Sequence, residues 1–400
     1  MNVQIDAIGV GLASAASPFL PVFLARLGAT NFVISLLTAM PAFTGFFFSL
    51  AVGRFLQNRR NIVPWFSSAR LLVISGYALT GLLTLLLPEQ YAIRTVLVIW
   101  AMVTLPQTVV AIGFSVVMNA VAGPEGRYAL MSRRWSILGL TAALTTIIVG
   151  QVLNILTFPS NFQLVFIGLA GGGLISYYFS SHIVLQDAVR FPRTVGLSSA
   201  QRFRQYIDQI RSNRPFVAFV SKRFVFLSGV TFAAPLFPIY FVREVEMTDG
   251  WIGAISSIQT AVMLVGYVFW GRQGKKRGSR FVLLWATLGL ALYPALVASS
   301  QSVQIIALFA ALAGIFQAGL DLVFFDELMK TVPVEQSATF VSLAQSLQFL
   351  SALVMPMLSA LVAKWIGVTG ALAVSTLIRL FGFGLFALDG AFFPLRRSSH

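Results

Sequence analysis

Apolar residues in this 400-residue chain gather in runs separated by short polar segments. Each run holds about 20 residues, enough to cross a bilayer as a helix at roughly 1.5 Å per residue. The runs lack polar/apolar alternation with a period of two and are too long for membrane strands. The pattern predicts an all-α, polytopic membrane protein with twelve spans. They lie near residues 4–25, 32–53, 68–88, 95–119, 136–157, 163–185, 222–242, 250–270, 281–299, 304–326, 340–363 and 370–393. The first apolar stretch is too long, and lacks the basic flank, to read as a cleavable signal peptide.

The pattern occurs twice. Pro18, Pro21 and Arg26, then Thr30, Gly53 and Arg54, are matched by Pro235, Pro238 and Arg243, then Thr248, Gly271 and Arg272. The first three pairs share an offset of 217 residues and the last three an offset of 218. A weaker repeat follows spans four and ten, where Met118 and Val121 match Met329 and Val332 at an offset of 211. Two parallel copies of one bundle are the architecture of transporters whose halves rock against each other. Between the copies lies the longest polar stretch. The expected organisation is a six-helix bundle over 1–186, a cytoplasmic linker over 187–221, and a second six-helix bundle over 222–400. In the linker Ser198 or Ser199 can cap a helix with Phe203, Ile207 and Ile210 on one face. That helix either lies on the inner membrane surface or is solvated.

Composition agrees with the membrane reading: 57% of residues are apolar and only 10% charged. The net charge of +15 could suggest nucleic acid, but its placement argues against that partner. With a cytoplasmic N-terminus, the outer loops carry Arg26, Arg94, Arg243 and Lys364, and Arg379 lies within span twelve. The rest of the 28 Lys and Arg residues fall on the inner side, among them Arg59, Arg60, Arg127, Arg133, Arg134, Lys275, Arg277, Arg396 and Arg397. This asymmetry predicts both termini in the cytoplasm and a basic inner face that favours anionic lipid headgroups. Without cysteine there is no disulfide, thiol catalysis or thiolate metal site, and His182 and His400 alone make no metal cluster. No GxxxxGK[ST] motif marks an ATP-driven pump. Neither a cofactor nor a metal is expected.

Twelve spans, a 6+6 repeat, a long basic central loop and glycine-led basic loops after spans two and eight resemble the major facilitator superfamily. Its signature loop runs roughly G-x-x-x-D-[RK]-x-G-[RK]-[RK]. In GRQGKKRGSR, Gly271, Lys276, Gly278 and Arg280 match, but Lys275 stands in place of the acid. In GRFLQNRRN, Gly53 matches, Gln57 replaces the acid and Arg60 the second glycine. The resemblance implies that this loop helps hold one conformation, here without a carboxylate. A neutral amide makes a weaker bond than a charged group. The G-P pair of the superfamily's antiporter signature is missing from span five, which has Gly139 and Gly150 but no proline.

Charges inside spans are costly and so mark candidate sites. Asp321 lies in span ten, a helix that lines the central cavity in the resembling superfamily, and can carry a proton. Its alternative role is to tie to a helix end or a basic loop. Asp326 and Glu327 have Lys275, Lys276, Arg280 and Lys330 as plausible partners at the inner boundary. Arg379 lies roughly 12 Å from Asp321 in depth, so carbonyl or water partners are expected for it, or snorkelling to the outer face. Asp6 is expected at the inner interface and His182 as a packed or interfacial residue. Pro18, Pro21, Pro235 and Pro238 predict kinks in the outer halves of spans one and seven. These either close over a cavity from outside or are fixed packing kinks. Ser14, Ser17, Thr104, Gln107, Ser228, Thr231 and Gln317 are neutral polar residues on cavity-type helices. Ser17, Gln107, Ser228, Thr231, Gln317 and Asp321 are the candidate substrate contacts.

The sequence thus points to a monomeric secondary transporter of the inner membrane. It moves a small, neutral or amphipathic solute by alternating access, with proton-coupled export as the first reading and nutrient uptake as the alternative. A second class is a non-transporting pigment- or lipid-handling factor on the same fold. A cavity faced by Gln107, Gln317 and Asp321 would favour transport, and a lateral apolar pocket the second class. No nucleophile–base or metal constellation suggests an enzyme.

Overall fold

The computed structural model describes residues 2–29, 31–185, 211–247 and 249–392. The proposed linker helix, Thr30, Thr248, Arg396, Arg397 and His400 lie outside the described residues. Those described are helical apart from turns and short connections, with no strand among them.

Span one is Asn2–Arg26, broken between Asn2–Ser14 and Phe19–Arg26. Span two is Asn31–Gln57, span three Val63–Leu86 and span six Ser160–Ser181. Spans four and five form one continuous helical run, Glu89–Ile155, interrupted only at Gly123. Span seven is Arg214–Arg243, broken between Arg214–Ala233 and Leu236–Arg243. Spans eight, nine and ten are Asp249–Arg277, Ser279–Ala298 and Val303–Thr331. Spans eleven and twelve share the run Ser337–Phe392, interrupted only at Gly367.

The two merged runs differ from the sequence expectation, which left a loop over 120–135. Helix continues on both sides of Gly123 and is broken at that single residue. Its φ of 64°, like the 77° of Gly367, lies in the left-handed region that side chains with a Cβ resist. The turn therefore needs one glycine and no loop. Elsewhere the ends are capped locally. Asn213 Oδ1 accepts from Phe216 N at 3.2 Å at the start of span seven, and Asn61 Oδ1 accepts from Val63 N at 3.0 Å ahead of span three.

The chain divides into two units. Unit 1 holds the described residues of Met1–Arg193 together with Pro333–Phe349, the inner end of span eleven; unit 2 holds those of Thr194–Val332 and Leu350–His400. In unit 1, span three packs along spans four and six, and span one along spans five and six. Glycines set the approach: a Cβ on Gly9 would stand 2.6 Å from Gly172 O, and one on Gly172 would stand 2.5 Å from Gly9 O. An apolar and aromatic core with Phe23, Phe162, Phe166, Tyr77 and Trp100 fills one end of this unit. In unit 2, span ten packs along spans eight and nine. There Phe219, Phe226, Phe324 and Phe386 form an aromatic cluster, with ring centroids 5.9–6.1 Å apart.

Candidate functional site

Spans eight and ten approach closely because small residues face each other. A Cβ on Gly314 would meet Gln259 O at 2.3 Å, and one on Gly266 would meet Ala318 Cβ at 2.9 Å. One turn on, Trp270 Nε1 donates to Ile315 O at 2.8 Å, which ties span eight to the backbone of span ten. Tyr267 is thereby held against span ten, and its hydroxyl donates to Asp321 Oδ2 at 2.7 Å. From the preceding turn of span ten, Gln317 Nε2 donates to Asp321 Oδ1 at 2.8 Å.

Each carboxylate oxygen thus receives one donor, and both donors are neutral. No basic side chain lies within ion-pairing distance of Asp321 among the described residues. A tyrosine hydroxyl both donates and accepts, and a glutamine amide carries one atom of each kind. This pair can satisfy Asp321 as an anion or, after small rotations, as an acid. Tyr267 was not legible as a partner in the sequence; its one signal was being the sole tyrosine of span eight.

Unit 1 buries a carboxyl differently. Asp6, near the start of span one, is fully buried within the protein. Its Oδ1 pairs with Arg70 Nη1 and accepts from Ser176 Oγ at 2.6 Å. Its Oδ2 pairs with Arg134 Nη2 at 3.2 Å. The two arginines lie over aromatic faces, Arg70 over Phe66 at 4.1 Å and Arg134 over Phe114 at 4.7 Å. These cations, which the sequence places on the inner side, reach Asp6 from spans three and five.

The other candidates are spread out. Gln107 has a buried Oε1 with no partner among the described residues, as does the Oγ of Ser228. Thr231 Oγ1 bonds Ser351 Oγ at 2.7 Å. Ser14 and Thr104 donate back to carbonyls of their own helices, Gly11 O at 2.9 Å and Ala101 O at 2.7 Å. Ser17 is exposed. Ser17 and Gln107 belong to unit 1, and Ser228, Thr231, Gln317 and Asp321 to unit 2. Lys330 pairs with Asp326 at 2.7 Å and Glu327 at 2.8 Å. His182 is exposed and leans on Tyr178.

The prolines sit at the helix breaks. Pro18 immediately precedes the second segment of span one with φ −65°, and Pro235 that of span seven with φ −76°. Pro21 and Pro238 fall in the first turns of those segments, where a missing N–H costs least. Around Pro18 the ladder tightens to i−3 bonds at Ala16, Ser17 and Phe19.

Of the glycine loops, Gly53 is in close contact: a Cβ there would stand 2.2 Å from Ser342 Oγ. Gln57 Oε1 accepts from Ala338 N at 3.1 Å, at the first turn of span eleven within unit 1. The amide therefore fills the place of the expected acid at a helix N-terminus. In the second copy Gly271 is buried, Gly278 turns between spans eight and nine with φ 83°, and Arg272, Lys276 and Arg280 are exposed.

This architecture is that of a multi-pass helical membrane protein. Residues 219–399 match the family model of the Major Facilitator Superfamily. The fold is similar to that of a bacterial homologue of the iron transporter ferroportin in its outward-facing state, with a TM-score of 0.71, 13% identity and 98% of each chain covered. It is also similar to the human organic anion transporter MFSD10, with a TM-score of 0.74 and 14% identity over 96% of this chain and 98% of that one. The fucose:proton symporter FucP of E. coli gives a TM-score of 0.73 and 12% identity over 96% and 98%. None of the curated proteins compared with the chain matches it. The family match covers a little under half of the chain, and the solved structures share its fold at 12–14% identity. Among the described residues the fold is all-α, with ten helical runs long and apolar enough to span a membrane, two of which are double-length and broken at Gly123 and Gly367.

Proposed function

We propose that this protein is a monomeric secondary transporter that exports a small, neutral or amphipathic solute across the inner membrane in exchange for protons. Alternating access is the mode of action. The halves are the bundles of 1–186 and 222–400 joined by the linker 187–221, with the helix of span seven reaching back to Arg214. The concentration of Lys and Arg on one side supports cytoplasmic termini and contact with anionic lipids.

One observation carries the coupling: a carboxyl inside a spanning helix whose two partners are both neutral and can both reverse their roles. A carboxylate locked to a guanidinium would resist protonation. Asp321 has no such lock, so proton binding and release there need no ion pair to break. Gln317, bonded to Asp321, links solute and proton: a solute that engages its amide removes one donor from the carboxyl. Within unit 2, Ser228 and Thr231 are further polar groups offered to the solute, as are Ser17 and Gln107 within unit 1, and the bent outer segments at Pro18 and Pro235 act as gate elements. Gly53 and Gln57 in the first loop, with Arg54, and Gly271, Arg272, Lys276, Gly278 and Arg280 in the second, form the inner latch elements.

Proteoliposomes with an imposed pH gradient test this, using chloramphenicol as a neutral amphipathic probe and pyranine to report protons. Wild type should show probe-dependent proton flux. Asp321→Asn should lose gradient-driven accumulation yet keep probe exchange at zero gradient. Accumulation that survives unchanged in Asp321→Asn would remove Asp321 as the carrier.

A further inference from the structure

Unit 2 holds a second buried charge that no carboxylate answers. Arg379 stands roughly 18 Å along span twelve from Gly367, near mid-span, and is only 3% exposed. Its position is built in by three elements. Its stem lies on span seven where Gly229 has no side chain; a Cβ there would come within 2.7 Å of Arg379 Cγ. One turn earlier on span twelve, Ser375 Oγ donates to Gly229 O at 2.8 Å and fixes the same contact. From the other side, Arg379 Nη1 donates to Leu290 O of span nine at 2.8 Å.

That carbonyl answers one of five N–H donors. Nε is buried and has no acceptor among the described residues. Tyr293, one turn beyond Leu290 on the same span, is buried and lies near enough to interact electrostatically with the guanidinium. Arg70 and Arg134 of unit 1 share Asp6, but Arg379 has no carboxylate within ion-pairing distance among the described residues. A guanidinium in hydrocarbon is normally paired. Donors without an acceptor, around a cation without a counter-charge, describe an anion site.

We propose that Arg379 binds one compact monovalent anionic group, with the Tyr293 hydroxyl as second donor. The group is chloride or the carboxylate of a solute with an apolar body. One unpaired charge calls for one negative charge, and the planar edge of a guanidinium suits a carboxylate. The apolar surroundings disfavour strongly hydrated, multiply charged anions. The site is distinct from the Asp321 cluster, and its test is binding alone, so it stands or falls separately from the transport reading.

The purified full chain in detergent is titrated with sodium chloride and, separately, sodium butyrate, against sodium sulfate at matched ionic strength, with the apparent Tm as readout. Wild type should show a saturable rise with chloride or butyrate beyond the sulfate reference. Arg379→Gln should abolish it, and Tyr293→Phe should raise the half-saturating concentration about 3- to 10-fold, as the loss of one hydrogen bond would. A response to chloride alone assigns a free ion, and one to butyrate a solute carboxylate. Absence of any saturable rise in wild type, or an undiminished one in Arg379→Gln, overturns the proposal. If Arg379→Gln does not fold, an unchanged half-saturation in Tyr293→Phe overturns it equally.

Discussion

Asp6 and Asp321 are both carboxyls within spanning helices, but Asp6 faces two guanidiniums and a hydroxyl while Asp321 faces a phenol and an amide. The first set fixes a charge. Four spans (one, three, five and six) meet at Asp6, and neither arginine can leave without stranding a buried ion. The second set fixes a position and leaves the charge free to change. A network that serves as a structural joint has its countercharge built in, whereas one that works by taking up a proton must not. The duplication sharpens the contrast. The offset of 217 residues that aligns Pro18 with Pro235 aligns Asp6 with Arg223. In unit 2 that position carries the opposite charge and lies over the Phe324 ring, at 5.8 Å, beside an aromatic cluster.

The largest expected effect lies in unit 1. Asp6→Ala leaves Arg70 and Arg134 buried without an anion, and breaking a buried pair in this way costs about 3–5 kcal/mol. The apparent Tm in detergent should fall further for this variant than for any other single change discussed. Asp321→Asn, which keeps shape and partners and strands no ion, should shift it far less. Equal losses for the two would erase the distinction between joint and switch.

Next comes the phenol of unit 2. Tyr267→Phe removes one hydrogen bond to a carboxyl, worth about 1.5–3 kcal/mol when the carboxyl is ionised and about 1 kcal/mol when it is not. Combined with Asp321→Asn in a double-mutant cycle, the coupling energy measures how much of the bond depends on charge. Additive losses would show that Tyr267 acts through packing alone.

The smaller latch of unit 1 follows. Gln57→Ala deletes the acceptor at the start of span eleven and should cost about 1 kcal/mol, as cap removals do. Gln57→Glu places a negative charge at the same helix N-terminus and should recover about 0.3–1 kcal/mol over wild type. A Tm below wild type for Gln57→Glu would mean that the amide is preferred there for its N–H donors.

The spans, the repeat and the proline breaks were legible because they rest on local properties: apolar length, fixed offsets and the missing N–H of proline. Asp321 stood out for the same reason, as a charge within an apolar run. Its partner Tyr267 did not, since a tyrosine in a membrane helix is unremarkable until Gly266 and Gly314 are seen to bring two helices together. The Asp6 joint was hidden by sequence distance: Arg70 lies 64 residues away and Arg134 128. An arginine near a span end reads the same whether it reaches out to lipid headgroups or folds back onto a carboxyl. Arg379 could be separated from Asp321 on depth, because rise per residue is a local quantity. Which carbonyl it would meet was a matter of packing between spans nine and twelve.

The finest test of the comparison lies in the helix pairs that flank the proline breaks. The repeat offset aligns Ser14 of span one with Thr231 of span seven. Ser14 turns inward to its own helix, donating to Gly11 O at 2.9 Å. Gly11 meanwhile lets span one touch span five directly: a Cβ there would stand 2.8 Å from both Leu138 O and Thr141 Cβ. Thr231 instead reaches across to Ser351 of span eleven at 2.7 Å. One bundle closes this contact by removing a side chain and the other by a hydrogen bond between side chains. In membrane proteins such bonds average about 0.6 kcal/mol, because each hydroxyl has its own helix carbonyl to fall back on. Thr231 already has one, Leu227 O at 3.0 Å. Ser351→Ala should therefore lower the apparent Tm only slightly, while Gly11→Ala, which must push two backbones apart, should lower it several-fold more. If Ser351→Ala proved the costlier, the hydrogen bond and not close packing would set the strength of these contacts.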